Sequence, residues 1–139
     1  MDELTRRAIE RWIEKAERDL LTARTILREE PRLTDVVCYH CQQCAEKSLK
    51  AFLVQIDMHV EKTHYLRRLL TLCVEKDGAY ADLDPAATSL SDYATVRYPD
   101  DWRDIPEPEA MQAIEAASIA CLASGPGISR QSSGYRTVA

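Results

Sequence analysis

TDVVCYHCQQCAEKSLKAFLVQIDMHVEKTHYLRRLL, Thr34 to Leu70, is the stretch whose reading decides the fold. Val37, Cys41, Cys44, Ala45, Ser48, Phe52 and Ile56 recur at steps of three and four, so they share one stripe of a helix about six turns long. That stripe has to be buried. Around it stand Tyr39, His40, Gln42, Gln43, Glu46, Lys47 and Lys50, a density of hydrogen-bonding and titratable groups that points to a site or an interface. The periodicity lapses after Asp57. Thr63 is a good N-cap for a further helix carrying His64, Leu66, Arg67, Leu69 and Leu70, so two helices meet at a short loop.

Upstream, residues 4 to 29 place Ile9, Trp12, Ala16, Leu20, Ala23 and Leu27 on one face of a first helix, which Pro31 ends. Downstream, the third helix, about Thr63 to Glu75, stops before the turn signal Lys76-Asp77-Gly78. A fourth starts at Asp84-Pro85, an N-cap with proline at the first helical position. It carries Ala87, Leu90, Ala94 and Arg97 and is closed by Pro99 near Tyr98. The loop YPDDWRDIP follows, with Trp102 expected to cover the edge of the core rather than to offer a stacking platform. A fifth helix runs from Glu107-Pro108 to about Ala123, with Ala110, Ala113, Ile114, Ala117 and Cys121 facing inward. The architecture predicted is all-α, an antiparallel up-and-down bundle of four to five helices in one domain, residues 1–123. Residues 124–139, SGPGISRQSSGYRTVA, read as a disordered Gly/Ser/Pro-rich tail.

Composition agrees. A chain of 139 residues suffices for one domain, and four glycines with a single phenylalanine argue against an all-β fold. A net charge of -5 and a pI near 5.2 speak against binding nucleic acid over the whole surface, leaving only a local basic patch for it. The opening MDELTRRAIERWIEK lacks the apolar core of a signal peptide, and no apolar run approaches the ~20 residues of a membrane span. A cytoplasmic protein is expected. Cys38, Cys41 and Cys44 form a C-x2-C-x2-C run, but on a helix the three fan over a wide arc, and Ser48 stands where a fourth ligand would follow. They are read as small apolar residues in a helix interface, with no metal and no cofactor.

Three segments carry a resemblance. Gln43, Ala45, Glu46, Lys47, Lys50 and Ala51, then Lys62-Thr63-His64-x-Leu66, then Arg97-Tyr98-Pro99-Asp100 follow one another in the order of the HEPN domain family, which this chain resembles over residues 5 to 123. Asp19-Leu20-x-x-Ala23 is similar to that family's first helix, although Asp19 alone reads as an ion pair or a solvated face. The resemblance implies an all-helical domain that associates as a homodimer. It further implies a small protein encoded beside a minimal nucleotidyltransferase, its partner in a toxin-antitoxin-like pair.

The candidate site is His40, Lys47, Lys50, His64, Arg97 and Tyr98. Tyr39, Gln43, Lys47 and Lys50 form a polar ridge on the second helix, His64 opens the next, and Arg97 closes the fourth, where its cation suits the helix dipole. Lysine supplies a point charge and arginine a bidentate fork, so the cluster is suited to a phosphate. Each member also has an ordinary structural role: Glu46 and Lys50, four apart, are expected to pair on the surface. Ribonuclease members of the HEPN superfamily carry an arginine followed after four to six residues by a histidine. Here Trp102, Arg103 and Asp104 stand in those positions after Arg97, and no catalytic residue is assigned. Phosphate-loop, nucleophile-elbow and zinc-protease motifs are missing as well, and a Cys-His pair one or two residues apart on a helix does not meet. The reading favours a noncatalytic module that binds a nucleotide or a partner, ahead of RNA. The alternative is a metal-independent endoribonuclease toxin with a displaced site.

Overall fold

The computed structural model describes residues 1–60 and 62–123; the predicted tail, 124–139, lies outside them. The described residues form five α-helices and three 3-10 turns, the helices being α1 (Glu3–Glu29), α2 (Thr34–Gln55), α3 (Leu66–Lys76), α4 (Asp84–Leu90) and α5 (Glu107–Ala123). The bundle is the all-α fold that the periodicity predicts. Asp2 starts α1 by accepting the Thr5 backbone N–H at 2.7 Å. A four-residue connection, Glu30 to Leu33, returns the chain as α2 antiparallel to α1, with Ile9 and Ile13 packed on Ala51 at the far end of the pair. The inner stripe of α2 is fully enclosed: Val37, Cys38, Cys41 and Cys44 have no exposed surface.

Asp57 ends α2. Its φ of 59° is left-handed, and the bonds from Asp57 N–H to the Val54 carbonyl (3.1 Å) and from Met58 N–H to the Leu53 carbonyl (2.9 Å) form the closing turn usually given to glycine. The next helix begins later than the sequence suggests. Thr63 accepts the Tyr65 N–H at 3.2 Å, an isolated turn, and α3 starts at Leu66. Residues 62–65 therefore cross the bundle as an extended segment rather than as a first helical turn.

The fourth helix is shorter than predicted. After Leu90 it tightens into a 3-10 turn, Ser91–Ala94, and ends short of Arg97. Leu90, Tyr93 and Val96 are the buried residues there, spaced by three, and three residues per turn is the 3-10 repeat. Arg97 thus stands in a loop, and the proposed benefit from a helix dipole does not apply. Trp102 is likewise misjudged by the sequence: it is 61% exposed. The edge of the core at that point is closed by Ile105, whose carbonyl accepts the Thr34 hydroxyl at 2.7 Å.

On α5, Ala110, Ala113, Ala117 and Cys121 face the core as expected, whereas Ile114 is half-buried. These small residues let α5 approach α2 closely enough for the Cys44 thiol to donate to the Ala117 carbonyl, 3.8 Å away. All five cysteines are buried, and burial pushes the Cys38 and Cys73 thiols up to about 12. Thiols held protonated are poor nucleophiles and poor ligands. Among the described residues no helix is long and apolar enough to cross a membrane.

Candidate functional site

The outer face of α2 is layered. Tyr39 and Gln43, one turn apart, face a groove of about 440 Å³ whose other wall is the crossing segment Lys62–Tyr65 and whose end is formed by residues 91–98. Arg97, carried there by the loop after the 3-10 turn, lays its guanidinium over the Tyr39 ring at 3.7 Å from the centroid. Its planar face is occupied by the ring, which leaves the N–H edge for a ligand. Among the described residues Arg97 makes no salt bridge. Lys62 and His64 line the same groove, with Asp92 as the carboxylate among the lining residues.

Behind the groove lies a second, buried layer. Gln42, with no exposed surface, donates to the His64 carbonyl at 2.9 Å and pins the crossing segment to α2. Gln43 in turn donates to the Gln42 side-chain oxygen at 2.7 Å. Glu46 holds the His64 ring through Nδ1 at 2.9 Å and accepts from Lys50 Nζ at 3.0 Å. Glu46 and Lys50 are 4% and 5% exposed, so the pair expected on the surface is a buried one, capped by the Trp12 ring 5.7 Å from the ammonium. Extraction of two charges from water is costly, and only close mutual pairing makes it tolerable.

His40 and Lys47 turn the other way. Both reach Asp19 of α1, His40 Nδ1 at 2.9 Å and Lys47 Nζ at 2.5 Å, and clasp the first two helices together. Burial alone would raise the Asp19 carboxyl; the hydrogen bonds from His40 and Lys47, with their charge, outweigh it and hold the group below the ordinary carboxylate range. The polar ridge is therefore split. Of the six predicted residues, His64, Arg97 and Tyr98 share the groove with Tyr39 and Gln43, Lys50 stands one residue behind it through Glu46, and His40 and Lys47 belong to the clasp. Arg103 is also engaged elsewhere. It pairs with Glu109, whose carboxylate accepts the Tyr93 hydroxyl at 2.5 Å. Bonding to Arg103 first, and then to Tyr93, holds Glu109 below its usual range.

Sequence reasoning missed Gln42 and Glu46 as supports and Tyr39 as the platform for Arg97. The available signal was a polar residue, Gln42, directly beside Cys41 on the stripe that has to be buried.

The groove offers cationic donors, an imidazole, aromatic rings and the hydroxyls of Thr63, Ser91 and Thr95, and no cluster of metal-binding side chains occurs among the described residues. Comparison with known proteins gives a consistent picture. The crystal structure of TT1696 from Thermus thermophilus is similar to this chain with a TM-score of 0.71 and 28% identity, covering 81% of this chain and 92% of that one. That of ST0689, an archaeal HEPN homologue, is similar with a TM-score of 0.66 and 29% identity, over 84% and 93%. No curated protein matches. The profile of the HEPN domain matches residues 9–121, from the first buried isoleucine of α1 to the last buried cysteine of α5, and the chain belongs to the HEPN domain family.

Proposed function

We propose that the chain is a noncatalytic HEPN module whose groove binds a nucleotide through its phosphate, and that it acts as the companion of a minimal nucleotidyltransferase in a toxin-antitoxin-like pair. The observation that carries this reading is Arg97: an arginine stacked on Tyr39, outside any salt bridge among the described residues, beside Lys62 and His64. A guanidinium oriented in advance loses little freedom when it grips a phosphate. Tyr65 and Tyr98, 78% and 61% exposed at the rim, supply faces for a base. Leu21 on α1 and Ile119 and Leu122 on α5 are exposed apolar side chains that favour a homodimer.

Calorimetric titration with ATP and GTP at low salt, with and without magnesium, tests this. One saturable site per chain is expected, weakened roughly 10- to 100-fold in Arg97→Ala, as for the loss of a charge-assisted hydrogen bond. An unchanged affinity in that variant would remove Arg97 from the site and the reading with it.

One observation favours the alternative, a metal-independent endoribonuclease: His64 and Arg97 come from separate segments yet line the same groove. An arginine to steady phosphoryl charge and a histidine to move a proton are the groups such cleavage needs. Single-stranded RNA cut by the parent protein and left intact by His64→Ala would select this reading over the first.

A further inference from the structure

His64 is held in an unusual way for a side chain 70% exposed. Its Nδ1 meets Glu46 Oε1 at 2.9 Å, and its backbone carbonyl accepts from Gln42, so both ring and main chain are fixed. Glu46 is buried and its second oxygen accepts from the buried Lys50. A carboxylate paired with an ammonium presents only lone pairs to its other neighbours. Nδ1 must therefore be the donor, and in the neutral ring Nε2 is left with a lone pair. The groove then combines opposite kinds of group: donors from Arg97 and Lys62, and an acceptor from His64, with Asp92 adding a second acceptor.

We propose that Glu46 and Lys50 lock His64 as the tautomer protonated on Nδ1, and that the groove thereby selects phosphate esters carrying a hydroxyl beside the phosphate. A bare phosphate dianion satisfies the cations but sets its own lone pairs against the one on Nε2. A ribonucleoside 3'-monophosphate satisfies both, because its 2'-hydroxyl donates to Nε2 while the phosphate meets Arg97 and Lys62. Glu46 is a positioning residue: it acts through His64 and touches no ligand. The proposal rests on the phosphate-binding reading of the groove and adds to it the ligand's second functional group.

The test uses the full chain at mildly alkaline pH, where a histidine ring is ordinarily neutral. Nitrogen-15 NMR of the histidine rings is expected to show His64 protonated on Nδ1. A ribonucleoside 3'-monophosphate should bind roughly three- to tenfold more tightly than its 2'-deoxy analogue, the worth of one hydrogen bond. Glu46→Gln gives the sharper readout. Lys50 needs an oxygen, which turns the amide NH2 toward Nδ1; the ring then carries its proton on Nε2, and the preference for the ribonucleotide disappears. Where that variant fails to fold, the spectrum and the two affinities of the parent still decide. An Nε2-protonated ring in the parent overturns the proposal, as does equal affinity for the two nucleotides when inorganic phosphate binds. Failure of inorganic phosphate and both nucleotides to bind overturns the phosphate reading itself, and this proposal with it.

Discussion

Lys50 and Lys47 stand three apart on α2 and differ in what surrounds them, and the difference decides what each substitution does. Lys47 is 25% exposed in its side chain and spans from α2 to Asp19, whereas Lys50 is enclosed between Glu46 and Trp12. Lys50→Met leaves the Glu46 carboxylate buried with only His64 and Gln42 as partners, and should cost about 3–5 kcal/mol in urea denaturation. Pairing it with Glu46→Leu removes both charges, and most of the stability should return while the support for His64 does not. A double variant as unstable as the single one would show that the cost lies in packing rather than in the orphaned charge. None of this could be read from the ridge itself. Spacing reports which residues share a helix face, but the partners that sort Lys47 from Lys50 are Asp19 on another helix and a ring, Trp12, that closes over one lysine only.

Between elements, the clasp of Asp19 with His40 and Lys47 is a polar contribution to the α1–α2 pair, beside the Lys50 ammonium over the Trp12 ring and apolar contacts such as Leu20 and Ala23. Because the folded-state carboxyl lies below its ordinary value of 3.8, its contribution is complete above that value and is lost as the pH falls through the lower, folded one. Asp19→Asn should cost about 1–3 kcal/mol at neutral pH, with a correspondingly flatter decline of stability on the acid side, both measured by urea unfolding across pH. A parallel decline in parent and variant would place the acid-sensitive group elsewhere. At this scale the sequence was informative where one period governs an element: the buried residues of α1 follow a 3.6-residue repeat, whereas α2 keeps it only in its first half and is buried at every position from Ser48 to Leu53, as a helix enclosed on more than one side must be. It was uninformative where the period changes. Ala87, Leu90, Ala94 and Arg97 fit a helix on paper, yet the chain buries Leu90, Tyr93 and Val96, because Tyr93 reaches Glu109 on α5 and draws the segment into a tighter coil. That change of period carries Arg97 off a helix end and over Tyr39.

Across the whole molecule, the groove depends on how closely α5 fits the α1–α2 pair. Ala113, Ala117 and Ala120 have almost no exposed surface, and α5 also carries Glu109, which holds Tyr93 and so the 3-10 turn at the end of the groove. Alanine at these positions is a matter of distance. A longer side chain at Ala117, whose carbonyl receives the Cys44 thiol, has no room unless the helix moves away. Ala117→Leu should therefore cost about 1–3 kcal/mol, which for a chain of this size lowers Tm by roughly 2–4 °C for each kcal/mol. The displacement would travel through Glu109 to Tyr93 and from there to the loop that sets Arg97 on its ring. Phosphate affinity should fall in Ala117→Leu although the substituted residue is remote from any ligand, and Ala117→Ser, which adds little volume, should leave affinity intact. Thermal unfolding and phosphate titration of both variants check this. An Ala117→Leu protein that melts early but binds as well as the parent would mean that the groove is set by α2 and the crossing segment alone, without α5.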